Sequence, residues 1–457
     1  MSKRAEVLEV EPLRNLGFWE IWAIGVGAVV GDGIFLLIGQ GIATAGPGSL
    51  FSYLLAGVFL ACLMIALGEL AVGMPRAGAM SVWVQRFMGD WWGFLSGFAF
   101  ALGWVIAGGS VGLAIGRITT WFFPQLDQQL WTIIFGVGWL TLFALFNIAG
   151  VGLSGKVQLW MTVALVALMT AFALFGARSV NPANFSPWFP TGFSGFLAAV
   201  PLGTYAYMGA VTLATAGSEC RKPIDLPRGL VWSSITFLVL YTAAHLVALG
   251  IVPWTEVTME QSPFTKAAGV AFGYAGAFVI NLAAWLAAAT CLHMGTLYST
   301  SRVFWEQAHQ GYLPAFFGYL HPRTRTPVWG IIFIWAVSVL LILLGVRNPD
   351  LIYVHLSLQL VLAWLVSWFL AVVGAMLFRS RFPQEIQKLP WRQPLYPLLP
   401  IVGIAGMAVV LWGTFVGAPQ ALLWGLAWIV GLWVYFRLYV RGRKSYRVTP
   451  PQGGAAA

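Results

Sequence analysis

Charge is what this chain has least of. Asp, Glu, Lys and Arg make up 9% of its 457 residues, where a soluble domain carries about 25%, and so few charges cannot cover the surface of a water-dissolved globule of this size. Acid is the scarcer sign, 15 Asp and Glu against 25 Lys and Arg. Cysteine is nearly missing too. Cys62, Cys220 and Cys291 are an odd count with two of them inside apolar runs, which excludes a disulfide framework. The N-terminus lacks an apolar core ending in a small-residue cleavage site and instead mixes Lys3, Arg4 and Arg14 with Glu6, Glu9 and Glu11. It reads as a retained tail rather than a signal peptide. No polar stretch is long enough for a soluble catalytic domain, and no metal-ligand cluster or nucleophile–base pair is visible, so an enzyme is disfavoured and no catalytic residue or metal site is assigned. The net charge of +10 is no nucleic-acid footprint, because the basic residues punctuate apolar runs instead of gathering on one face.

What is present is apolar: 59% hydrophobic residues, with 24 Trp and 32 Phe. A bilayer core of roughly 30 Å needs about 20 apolar residues per helix. Twelve such runs occur, at 17–44, 48–73, 91–122, 130–149, 154–177, 192–217, 229–251, 267–305, 327–346, 350–378, 397–417 and 419–440. The expected fold class is an all-α polytopic membrane protein of about twelve transmembrane helices, with the lipid bilayer as its surroundings. An even number of spans puts both termini on one side. If that side is cytoplasmic, 21 Lys and Arg fall in inner segments and three (Arg178, Lys266, Arg347) in outer ones, with Arg117 near the outer end of span three. That bias predicts a multi-pass plasma (inner) membrane protein with both termini, 1–14 and 441–457, in the cytoplasm.

Two spans carry signs of a break. Span one contains Gly31-Asp32-Gly33, which weakens the helix at each position and places an ionisable group at membrane depth. Unwound backbone is tolerated there only where it lines a cavity, and its amides and carbonyls then become ligand-binding groups. The plainer reading is a glycine packing face with Asp32 satisfied by a neighbouring helix, but an intramembrane acid favours function by default. Span six is interrupted near Gly209, within Tyr205-Ala206-Tyr207-Met208-Gly209. Spans one and six are the corresponding first helices of two five-helix halves, 17–177 and 192–378, followed by a hairpin of two extra helices, 397–440. That is the pattern of a single inverted-repeat transport domain whose site lies where both halves break.

Four stretches resemble the amino acid-polyamine-organocation superfamily of permeases, which share the LeuT-like fold. They are Gly27 to Phe35 running on to Ala45-Gly46-Pro47-Gly48; Ala66-Leu67-Gly68-Glu69-Leu70 with Met74-Pro75-Arg76-Ala77-Gly78; Glu219 to Arg228 after span six; and Tyr298-Ser299-Thr300-Ser301-Arg302 through Gly311-Tyr312-Leu313-Pro314 to His321-Pro322. The resemblance covers about residues 15–440. It implies that Gly31, Asp32 and Gly33 with Tyr207, Met208 and Gly209 bind the substrate, the amides at the first break holding a carboxylate and carbonyls at both breaks an ammonium group. It also suggests that Tyr207 closes the pocket from outside. Half-helix N-termini suit an anion and C-termini a cation.

Departures from the family matter as much. Where amino acid permeases usually carry Ser or Thr, this chain has Asp32, which when ionised only accepts hydrogen bonds. Either it is protonated when substrate binds, or its side chain points away, or the recognised group is an amine. Leu165 stands where many proton-coupled relatives have Lys, and Val211 where they often have Asp or Glu. Glu69 is weighted toward a structural pairing, and His245 and His293 toward hydrogen-bonded packing. Thr296, Ser299 and Thr300 stand where sodium-coupled relatives hold an ion, yet such hydroxyls also bond back to their own helix. The expected function is a secondary active transporter importing an amino acid or closely related amine by alternating access, with no cofactor beyond a proton gradient. Asp32 is the candidate proton-coupling residue, and sodium coupling is disfavoured. An amino acid/amine exchanger, or a permease-fold sensor that does not transport, are the alternatives. Oligomeric state is left open.

Overall fold

The computed structural model describes residues 12–257, 262–345 and 349–441; the two tails expected from the sequence lie almost wholly outside them. Among the described residues the fold is all helical, with no strand and one isolated parallel bridge, Leu16 to Cys220. Nine helical stretches among the described residues are long and apolar enough to cross a membrane. They correspond to the twelve sequence runs once three details are added. Phe18–Gly73 holds spans one and two together, span six is too broken to count as one long helix, and span nine is a shorter apolar helix, Val328–Leu344.

Span one begins as a helix over Phe18–Val29, whose first turn is fastened by the Glu20 carboxylate accepting from the Gly17 N–H at 3.1 Å. Helical geometry stops at Val30 (ψ 86°) and resumes as a π-helical turn over Gly33–Leu37 followed by Ile38–Ala45. The interruption thus falls at Val30 and Gly31, with Asp32 already helical, earlier than glycine content alone indicates. Gly46 turns the chain into span two with φ +60°, a conformation glycine adopts without penalty. Span two runs over Ser49–Ala66 and Gly68–Gly73. Two short helices had no counterpart among the apolar runs: Met80–Met88, leading into span three at Asp90–Thr120, and Pro383–Lys388, between spans ten and eleven. Both are too short and too polar to register as membrane runs.

Spans four (Gln128–Ala149) and five (Val151–Gly176) are joined by the single residue Gly150 at φ +130°. Span six is helical over Gly192–Ala206, opens through residues 207–211, and continues as a 3-10 helix over Thr212–Glu219. Span seven is Asp225–Ile251. Span eight, Pro263–Thr290 continuing to His309, contains a nine-residue π-helical stretch over Cys291–Ser299, a geometry that often marks functional sites. Spans ten, eleven and twelve are Pro349–Arg381, Leu398–Gly417 and Pro419–Tyr435.

The broken spans form the centre. Span one packs on spans five and seven, span six on span two and on the second half of span one, and span three on spans ten, nine and four. Span eleven lies outside against spans two and six. Span three is buried along most of its length, and the fully buried Trp83, Trp104, Trp364 and Trp368 fill the space around it.

Candidate functional site

The interruption of span one leaves Val30 and Gly31 outside regular helix, and span six opens directly after Ala206. The two openings meet. Gly209 lies directly against the Ala28 carbonyl, so closely that any Cβ would collide with it, while a Cβ on Gly33 would fall 2.9 Å from Ala206 Cα and 2.7 Å from the Tyr205 ring. Glycine is required at both positions because the two broken backbones touch there. Tyr241 of span seven fastens the junction: its hydroxyl is 2.8 Å from the Val29 carbonyl and 3.2 Å from the Ala206 carbonyl.

Around this junction is a small cavity. Span one contributes Ala28, Val29, Gly31, Asp32 and Gly33, and span six Tyr205, Ala206, Met208 and Gly209. Trp104, Ala107 and Val111 come from span three, Cys291 from the π-helical stretch of span eight, and Leu360 and Trp364 from span ten. Every one of these residues is buried. Asp32, 2% exposed, sits at the N-terminus of the second half of span one. Tyr205 donates from its hydroxyl to Asp32 Oδ2 at 3.1 Å, with Oδ1 at 3.4 Å. Broken-helix amides and carbonyls, one carboxyl group and aromatic rings give the lining polar groups that match the charged end of a small zwitterion and rings that match its side chain.

The profile of the family described as amino acid permease matches residues 20–448. The chain belongs to the amino acid permease family. It is 27% identical over 446 residues to "Branched-chain amino acid permease BcaP" of Lactococcus lactis subsp. cremoris, covering 93% of this chain and 94% of that protein. It is 25% identical over 454 residues to "Amino-acid permease RocE" of Bacillus subtilis, covering 94% and 96%. With the "D-serine/D-alanine/glycine transporter" of Escherichia coli it shares 28% over 443 residues, 92% of each chain. The protein is therefore a multi-pass membrane transporter for amino acids and not an enzyme.

In this permease, five of the six substrate-binding positions expected from the sequence, Gly31, Asp32, Gly33, Met208 and Gly209, line the cavity. The sixth, Tyr207, does not. It is fully buried outside the lining, its ring packed on Phe237 at 5.3 Å and Tyr241 at 4.9 Å, with the Gly57 backbone close against its hydroxyl end. The cavity tyrosine is Tyr205. The helix ends between the two, at Ala206; the family resemblance points to Tyr207, and here Tyr205 is the tyrosine in the lining.

The other polar residues singled out in the sequence lie outside the cavity lining; His245, His293, Glu69 and Ser299 have partners, while the hydroxyls of Thr296 and Thr300 are buried without one. His293 contacts Asn147 Nδ2 at 3.0 Å and Ser154 Oγ at 3.0 Å, joining spans four, five and eight. His245 contacts Ser49 Oγ at 3.1 Å. Glu69 accepts from Arg379 and from the Gln393 N–H, each at 2.8 Å. Ser299 Oγ accepts from Thr215 at 3.1 Å. Gln158 and Thr162 of span five both donate to the Ala23 carbonyl of span one at 3.2 Å. No group of three or more His, Cys, Asp or Glu suited to a metal occurs among the described residues.

Sequence reasoning missed a polar cluster at the basic end of the bundle. Glu219, closing span six, accepts from Tyr298 and is paired with Arg302 at 3.1 Å, both side chains 2% exposed. The Arg302 guanidinium also stacks on the Tyr298 ring at 3.9 Å. On the other side of Glu219, its carbonyl accepts from the Leu16 N–H and the Leu16 carbonyl accepts from Arg221, which pins the chain entering span one to the chain leaving span six. Opposite charges separated by 83 positions along a chain carry no local signal of pairing.

Proposed function

We propose that this permease imports an amino acid across the plasma membrane by alternating access through the cavity between spans one and six, and that Asp32 carries the coupling proton. The observation that bears the reading is Asp32 itself: a buried carboxyl group at the junction of the two breaks, bonded to Tyr205 and, among the described residues, the one acid in the cavity lining. A proton on Asp32 turns an acceptor into a donor and removes a negative charge from the place where a substrate carboxylate meets the amides of the second half of span one. Loading of proton and substrate is then mutually favourable, which is the requirement for symport.

A proton is preferred to sodium as the coupling ion because Asp32 is, among the described residues, the one acid in the cavity lining; of the three hydroxyls weighed for sodium, Ser299 accepts from Thr215 while Thr296 and Thr300 have no hydrogen-bond partner. The repeats 17–177 and 192–378 supply the two halves that rock about the site, and the bias of basic residues places the end bearing Glu219 and Arg302 in the cytoplasm. Exchange of one amino acid or amine for another is the second reading, favoured if ionised Asp32 holds the substrate ammonium.

Reconstitution of the full chain in proteoliposomes separates them. Asp32→Asn imitates the protonated acid, so exchange of labelled substrate is retained while accumulation driven by a pH gradient is lost. If the same substitution weakens binding itself, Asp32 pairs with the substrate amine; if both assays are normal, Asp32 is a structural acid.

A further inference from the structure

We infer that Trp104 is a specificity-determining residue, its indole N–H bonding an oxygen on the substrate side chain, so that the permease selects amino acids with a hydroxyl or amide oxygen over aliphatic ones of the same shape. The inference rests on the cavity being the amino acid site and adds a substrate class to it.

Three observations carry it. Trp104 lines the cavity and is 1% exposed, yet its ring nitrogen has no hydrogen-bond acceptor in the protein. The ring beside it differs: Trp364, edge-on to Trp104 at 4.8 Å, donates its N–H to the Phe100 carbonyl at 2.8 Å. Of the two indoles in the wall, one is satisfied and the other is not. Finally, the sequence seats both rings on glycine. A Cβ on Gly295 would strike the six-membered ring of Trp104, and one on Gly103 would strike the five-membered ring of Trp364. Gly295 lies in the π-helical stretch of span eight, so the position of the Trp104 ring is built in by two neighbouring spans.

The chemistry follows from who supplies which group. Spans one and six bring to the cavity their broken backbones and Asp32, suited to the ammonium and carboxylate that all amino acids share. Spans three and ten bring side chains, and these are apolar (Ala107, Val111, Leu360, Trp364) apart from the Trp104 N–H. A ligand with an aliphatic side chain leaves that donor buried and unpaired, whereas one with an oxygen acceptor at the same place satisfies it. A site built around a hydrogen-bond donor discriminates strongly against a ligand that lacks the acceptor.

The test uses pairs of nearly equal shape, L-threonine against L-valine and L-asparagine against L-leucine, with affinities measured on the purified full chain and uptake in proteoliposomes. In the wild type the oxygen-bearing member of at least one pair binds about tenfold tighter or more, equivalent to one hydrogen bond. Trp104→Phe removes the N–H and brings that ratio to about one. Trp368→Phe, which removes an N–H equally buried and unpartnered but outside the cavity lining, leaves the ratio unchanged. Should Trp104→Phe not fold, Trp104→Met removes the same N–H and takes its place, and a wild type without the preference already overturns the assignment. Uptake without preference for the oxygen-bearing member, or a preference that survives in Trp104→Phe, overturns the assignment and leaves amino acid transport standing. Absence of uptake for every amino acid overturns the transport site first and this inference with it.

Discussion

At the basic end of the bundle, Glu219, Glu306 and Glu69 each lie within 3.1 Å of an arginine, Arg302, Arg76 and Arg379 respectively. At the central cavity, one acid bonds a tyrosine hydroxyl, glycines replace side chains, and an indole N–H has no protein acceptor. Both regions sit among apolar spans, yet each acid of the first has an arginine beside it, whereas the acid of the second is bonded by a tyrosine hydroxyl. Buried opposite charges that satisfy one another hold a fixed arrangement of helices, here the start of span one with the ends of spans six and eight. Groups left for a partner are how a cavity recognises one. The same desolvation that makes a lone buried charge costly thus fastens one end and makes the other selective.

That contrast can be broken at its strong end first. Glu219→Ala leaves Arg302 buried without its carboxylate, a loss of about 3–5 kcal/mol, and the expected result is a fall in the thermal stability of detergent-purified protein larger than Gly209→Ala or Arg86→Ala produces. A melting temperature close to wild type would mean that the cluster does not fasten the bundle. At the junction of the breaks, Gly209→Ala drives a methyl group into the Ala28 carbonyl. Overpacking of this kind costs about 1–3 kcal/mol and separates the two half-helices, so uptake falls by more than about tenfold. Gly138→Ala, where a Cβ meets nothing within 4 Å, leaves uptake and stability unchanged and serves as the control. The smallest effect belongs to Arg86→Ala. Its pair with Glu385 at 3.3 Å is between side chains 45% and 50% exposed, so its loss costs at most about 1 kcal/mol and leaves transport intact; a large effect there would show that the short helix Pro383–Lys388 does more than rest on the surface.

Much of the fold was legible in the sequence because length and apolarity alone identify membrane spans, and the Gly31-Asp32-Gly33 triplet announces a break by propensity. Gly209 and the correspondence of spans one and six as first helices of two halves then pointed to the paired break in span six. What was not legible depends on phase and on contacts between distant residues. Tyr205 and Tyr207 are equivalent in composition, and only the helix end at Ala206 decides which ring faces the cavity. Gly209 and Gly33 read as room for substrate, whereas their missing side chains make room for the opposing broken helix. Trp104 is one of 24 tryptophans, and nothing in its neighbours marks it as the one whose N–H has no acceptor at the cavity. Amphipathic helices as short as Met80–Met88 carry too few residues to separate from loop by pattern.

The central claim is that substrate occupies the cavity where spans one and six break, and Cys291 offers the most direct reading of it, since its thiol lies in the lining beside Gly31, whose Cβ position is 3.2 Å from the sulfur. In a Cys62→Ser, Cys220→Ser background that retains uptake, Cys291 is the sole thiol. The measurement is its rate of modification by methyl methanethiosulfonate as a function of the concentration of a transported amino acid. The account predicts that the rate falls by about tenfold or more at saturation, with half-protection at the concentration that half-saturates binding. A rate that stays constant while uptake is saturated would contradict it and place the substrate elsewhere in the bundle.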